Sequence, residues 1–144
     1  MRVRLVSKVQ SLHVHTWIAR DLFEALRERV NEWASHPPLN ETGWIGPLMD
    51  EASVQGVHSW CEEALQAMAH ISSAARSKPF TPDRVEIPSS STGLRVIEEK
   101  VFGPVLVVQP YREWEHTLAM TKASRYGLWV GLYTDSAHRI CEAF

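Results

Sequence analysis

Two histidines, His13 and His15, stand at i and i+2. On a strand that spacing turns both imidazoles to one face, as a pair of metal ligands would require. No third ligand lies near them in the sequence, so two ordinary strand histidines are the simpler reading and no metal is expected. The candidate nucleophiles are Cys61 and Cys141. Cys61 falls on an apolar helical stripe, where a thiol behaves as a small inert hydrophobe, and Cys141 has no recognisable base partner. Two cysteines so far apart, with no Cys-x-x-Cys pair, build neither a zinc ribbon nor a disulfide framework. Glu98-Glu99-Lys100 taken alone reads as a solvated turn. The seven glycines form no Gly-x-Gly-x-x-Gly, no P-loop and no Gly-x-Ser-x-Gly elbow. The chain therefore carries neither a phosphate-cradling turn of that kind nor the commonest hydrolase signature.

The elements that must position these residues can be read from periodicity. Residues 12–14 alternate and read as a strand, with Thr16 offering an N-cap hydroxyl to the helix after it. That helix is expected over 17–33, with Ile18, Leu22, Phe23, Leu26, Val30 and Trp33 on its apolar side and Arg20, Glu24, Arg27 and Glu28 opposite. His36-Pro37-Pro38 ends it, because proline lacks the donor and restricts the residue before it. Asp50 caps a second helix running to about Met68, with Val54, Val57, Cys61 and Leu65 at helical spacing. A polar stretch to Gly93 holds one short strand over 85–87, then the loop Pro88-Ser89-Ser90-Ser91-Thr92-Gly93. The β-branched run at 105–108 suits a strand buried on both faces. A helix over 113–123, a strand over 128–133 and a helix starting at Asp135 or Ser136 complete the pattern. Strands alternating with helices predict an α/β fold: a mostly parallel sheet of about four strands with helices on both faces.

Composition narrows the partners. The chain has 144 residues, with 15 Lys+Arg against 17 Asp+Glu, a net charge of -2 and 44% hydrophobic residues, which describes a single domain of ordinary polarity. The two signs of charge are interspersed, so no basic stripe invites nucleic acid and no polybasic block invites an anionic membrane. Arg4 and Lys8 interrupt any signal-peptide core, and no apolar run approaches the roughly 18 residues of a membrane span. A cytoplasmic location is expected.

One motif changes the reading of the Glu98-Glu99 turn. Glu98-Glu99-Lys100-Val101-Phe102-Gly103-Pro104-Val105 resembles the Glu-Glu-x-Phe-Gly-Pro-Val signature of the aldehyde dehydrogenase superfamily. Tyr126-Gly127-Leu128 with Gly131-Leu132-Tyr133-Thr134-Asp135 is similar to that family's Tyr-Gly-Leu and Val-Phe-Thr-x-Asp segment. Ile45-Gly46-Pro47-Leu48 is similar to its Val-Gly-Pro-Leu turn, and Val9-Gln10 through Val14-His15 to the strand after its nucleophile loop. The spacings between these anchors agree as well, so the likeness covers nearly the whole chain. It implies part of an aldehyde dehydrogenase catalytic domain.

Carried over position by position, the resemblance also implies losses. The family's catalytic cysteine lies three residues before the match to Val9, which is Val6 here. Valine has no lone pair with which to attack an aldehyde carbonyl, so no catalytic residue is assigned. The general-base glutamate and the glycine-rich cofactor segments of the family have no counterpart in this stretch. The glutamate that holds the nicotinamide ribose hydroxyls corresponds to Lys100, a donor-only side chain. A one-residue loop-out would instead bring Glu99 into that role. Phe102, whose counterpart packs near the nicotinamide riboside, is kept. The resemblance thus implies NAD or NADP for the family, Lys100 and Phe102 as the cofactor-side positions, and no cofactor bound by this chain alone. It leaves two functions open: an aldehyde-oxidising oxidoreductase of which this is a portion, or a non-catalytic module of the same fold used in assembly or regulation. Because the family continues beyond the position of Phe144, an uncovered sheet edge is expected to recruit a second copy or a complementary chain.

Overall fold

The computed structural model describes residues 9–32, 48, 50–67, 70–71, 84–86, 93–127 and 129–144, and for residues 30–32, 70–71 and 84–86 the backbone alone. They fall into two compact units, one of the described residues within 10–112 and a second of those within 113–144 together with Val9. The larger unit holds a sheet of four strands, β1 (Ser11–His15), β2 (His70–Ile71), β3 (Arg84–Glu86) and β4 (Leu106–Tyr111), in the order β1-β4-β3-β2. β4 runs parallel to both β1 and β3, whereas β2 pairs antiparallel with β3. The expected α/β architecture with a mostly parallel sheet is what forms. The two-residue β2 is too short to leave a periodicity in the sequence.

β4 explains why its sequence is apolar without alternation. Val108 packs on one face with Val14 and Ala19, joined by Leu12, Leu22, Phe23, Leu26 and Leu106. Val105 and Val107 pack on the other with Cys61, Ala64, Leu94, Val96 and Val101. Successive strand residues point to opposite faces, so helix α1 (Thr16–Glu32) covers one side of β4 and helices α2 (Glu51–Gln66) and α3 (Arg95–Glu98) the other. The strand continues two residues past Gln109 through Pro110, although proline cannot donate to a ladder. The described register with β3 ends at Val108, leaving only β1 beside Pro110.

Helix boundaries and faces depart from expectation in instructive places. Thr16 is the first residue of the helix rather than the residue before it, and the His15 ring nitrogen Nδ1 accepts from the Trp17 N–H at 3.3 Å. Ile18, placed on the apolar stripe by spacing, is 58% exposed, and the buried first-turn residue is Ala19. Asp50 caps α2 as anticipated, its Oδ1 accepting from the Ser53 N–H at 2.7 Å. Along α2 the buried line runs through Val57, Trp60, Cys61 and Ala64, while Leu65 turns outward. Trp33, the His36-Pro37-Pro38 stop, the turn at 45–47, Met68, Ile87, the loop over 88–92 and Leu128 lie outside the described residues.

In the second unit, α4 (Trp114–Lys122) and α5 (Ala137–Ala143) meet at Glu142. The Trp114 indole donates to Glu142 Oε2 at 2.8 Å, and Lys122 Nζ donates to the Glu142 carbonyl at 3.0 Å. The Arg139 guanidinium lies 5.5 Å from the Trp114 ring centroid. Ser136 starts α5, accepting from the Arg139 N–H at 3.4 Å. The strand expected over 128–133 does not form: the described residues 129–133 join no sheet, and Trp129, Val130 and Tyr133 are exposed. An apolar run becomes a strand only where another strand completes its ladder. Among the described residues no helix is long and apolar enough to cross a membrane.

Candidate functional site

The turn that carries the Phe-Gly-Pro motif is built from its flanks inward. Gly93, at φ +82°, takes a conformation that a side chain would strain and so delivers the chain to α3. α3 is a single turn that would not persist alone. It is fastened to α2 by Arg95, whose Nε and Nη2 both reach Glu63 Oε2 at 2.6 Å while the Arg95 N–H donates to Glu63 Oε1 at 3.3 Å. The guanidinium also lies 5.4 Å from the Trp60 ring centroid. The hydrogen bonds from Arg95 hold the Glu63 carboxyl below its ordinary pKa.

Past α3 the backbone is held by a residue from the far end of the sequence. Gln10 Nε2 donates to the carbonyls of Val96, at 3.1 Å, and Glu99, at 2.7 Å. Its Oε1 accepts from the Val101 N–H at 2.9 Å, and its own carbonyl accepts from Val107 N–H at 2.7 Å. Val101 is thereby buried, at 1% exposure, and its neighbours turn the other way. Phe102 is 75% exposed, and Lys100 Nζ lies 5.6 Å from the centre of the Phe102 ring. The Gly103 carbonyl then accepts from the Val105 N–H at 2.9 Å across Pro104, a three-residue turn whose centre suits the fixed φ of proline. A Cβ on Gly103 would lie 2.7 Å from Val57 Cγ2, so α2 approaches the turn as closely as glycine allows.

The structure therefore brings Lys100 and Phe102 together as an ammonium beside an open aromatic face. Chemically this pair offers donors and a π surface and, from these two side chains, no acceptor. That does not fit the recognition of vicinal ribose hydroxyls by a carboxylate. Val6 lies outside the described residues.

The other candidates are dispersed. His13 faces Gln109 across the β1–β4 register, and burial lowers its pKa. Gln109 is 3% exposed, and its Nε2 has no hydrogen-bond partner among the described residues. The ring of His15 meets Tyr111 and Trp17 edge-on, both at 5.3 Å between centroids. No group of three or more His, Cys, Asp or Glu side chains able to hold a metal occurs among the described residues. Cys61 is buried in the apolar cluster and Cys141 is exposed on α5.

Gln10 and the Glu63–Arg95 pair escaped the sequence reading. A glutamine just before an alternating strand carries no distinguishing mark, and its partners lie 86 to 91 positions away.

Comparison with known proteins agrees with this architecture. The model of the aldehyde dehydrogenase family matches residues 6–144. A 3-sulfolactaldehyde dehydrogenase of Priestia aryabhattai is 26% identical over 127 residues, covering 88% of this chain and 27% of that protein. The peroxisomal aminoaldehyde dehydrogenase 1 of Pisum sativum is 26% identical over 144 residues, covering 96% and 28%. Among solved structures, an NADP-dependent glyceraldehyde-3-phosphate dehydrogenase from Bacillus halodurans C-125, complexed with NADP, superposes with a TM-score of 0.84 at 22% identity, covering 95% of this chain and 29% of that one. The chain thus spans about a quarter of the length of the curated relatives it matches.

Proposed function

The chain belongs to the aldehyde dehydrogenase family, and from that premise we propose that it is a portion of the catalytic fold that does not itself oxidise aldehydes. Oxidation of an aldehyde to a carboxylic acid in this family begins with attack of a cysteine thiolate on the carbonyl carbon. The position corresponding to that cysteine is Val6, whose side chain can neither give an electron pair nor lose a proton. This substitution is the single observation that carries the reading. Lys100 points the same way: where the family presents a carboxylate to the nicotinamide ribose, this turn presents an ammonium beside Phe102. NAD or NADP binding by the chain alone is accordingly not expected, although Phe102 keeps an exposed ring at the riboside position.

What the chain presents is a scaffold: the parallel strands β1 and β4, the Gly103–Pro104 turn and the clamp between Glu63 and Arg95. Such a scaffold serves either a longer or complementary assembly that supplies the missing groups, or a module whose work is association. Exposed Trp129, Val130 and Tyr133 favour association with a second copy or a complementary chain. The deciding experiment is a spectrophotometric assay of the purified chain with NAD and with NADP against aliphatic and aromatic aldehydes. No reduction above background is expected, and reduction that disappears on replacing Cys61 or Cys141 would overturn the proposal.

A further inference from the structure

The hydrogen bonds of one side chain reach both partners of the Lys100–Phe102 pair through the backbone between them. We infer that Gln10 is the positioning residue of this turn, the group that determines which of residues 100–102 faces the core and which face outward. The inference rests on the reading that Lys100 and Phe102 form the ligand-facing part of the fold.

The argument is geometric. From Val96 to Val101 the chain leaves α3 and crosses to β4 with no strand of its own to hold it. Its carbonyls at Val96 and Glu99 and the N–H at Val101 are all met by the Gln10 amide, at 3.1, 2.7 and 2.9 Å. A primary amide supplies two donors and an acceptor from one planar group, which no apolar residue and no carboxylate can do. The anchor is itself fixed, because the Gln10 carbonyl accepts from Val107 and Ser11 pairs in register with Val107. Rotation of the segment by one residue would bury Lys100 or Phe102 in place of Val101 and leave three backbone groups unmet. Gln10 also lies four positions after Val6 in the sequence. The residue that holds the cofactor-side turn is thus joined by a short length of chain to the nucleophile position.

The test uses the full chain. Lysines are reductively 13C-methylated, and the Lys100 signal is assigned through Lys100→Arg. Its ring-current displacement by Phe102 is read together with amide hydrogen exchange at Val101. Gln10→Leu is compared with Val108→Ala, a core variant on the opposite face of β4 that lowers stability without touching Gln10 or Val101. The expected result is loss of the Lys100 displacement and at least tenfold faster Val101 exchange in Gln10→Leu, with both signals kept in Val108→Ala when the two are compared at equal global stability. If Gln10→Leu does not fold, Gln10→Glu carries the same comparison. It keeps the acceptor for Val101 and loses both donations, so the Lys100 displacement should shrink while Val101 protection persists. An unchanged Lys100 signal in the Gln10 variant, or equal loss in Val108→Ala, overturns the inference. Neither readout involves turnover, so aldehyde oxidation by the chain would refute the proposed function and leave this test standing.

Discussion

Val57 and Gly103 stand in a contact that admits no further atom: a carbon added at Gly103 would be 2.7 Å from Val57 Cγ2. Gly103→Ala should therefore destabilise the chain by about 1–3 kcal/mol through overpacking. Val57→Ala should cost about 1–2 kcal/mol through lost burial. In the double variant the two losses should not add, since the smaller side chain makes room for the new methyl, and a coupling of about 1 kcal/mol is expected. Denaturant titrations of the four proteins check this, and strict additivity would show that the contact does not limit position 103.

Pro104→Ala should lower the melting temperature by about 2–5 °C, because the unfolded chain regains freedom that proline had removed. The turn closed by Gly103 and Val105 is formed by backbone groups and survives the change. A melting temperature equal to that of the parent, combined with altered affinity for NAD or NADP, would instead give this segment a binding role.

Acid should weaken the fold through His13. Burial holds its pKa below the ordinary value of 6.5, so between those two values the unfolded chain binds more protons than the folded one. Stability from this group is complete above about pH 6.5 and declines as pH falls toward the folded value, below which it no longer changes. His13→Gln should flatten that part of a melting-temperature profile measured from pH 7.5 to 5. An unaltered slope would assign the acid sensitivity to other groups.

Restoring the nucleophile should not restore the reaction. On the function proposed above, Val6→Cys supplies a thiol without the base that would activate it, and leaves a donor-only side chain at position 100. Aldehyde-dependent reduction of NAD or NADP by this variant would show that the remaining machinery is present after all.

Self-association is expected from the exposed Trp129, Val130 and Tyr133, and from β1, which forms one edge of the described sheet. Light scattering behind a sizing column should give a mass above that of one chain at micromolar concentration. Charged replacements at Trp129 and Tyr133 should return it to monomer. A monomer in the parent across that range would refute the expectation.

Legibility in the sequence tracked the range of the forces involved. β1, β4, α2 and the Asp50 cap could be read because alternation, an unbroken apolar run and a capping residue are local signals. Residues 129–133 misled because a short apolar run looks the same whether or not another strand pairs with it. Ile18 and Leu65 misled because helical spacing gives the width of a stripe but not its centre, which the neighbouring Ala19 and Ala64 occupy. At the site, Lys100 and Phe102 were visible through a motif. Gln10 was not, since only the folded sheet brings it to Val101.

The alternation along β4 divides responsibility for the fold. Leu106 and Val108 answer to α1, and Val105 and Val107 to α2 and α3, so the two faces of the strand belong to separate packing clusters. Neither described cluster draws on Lys100 or Phe102. Replacing either of those two side chains thus removes nothing from the packing on either face of β4, and the turn can change what it presents to solvent while the sheet beneath it stays as it is.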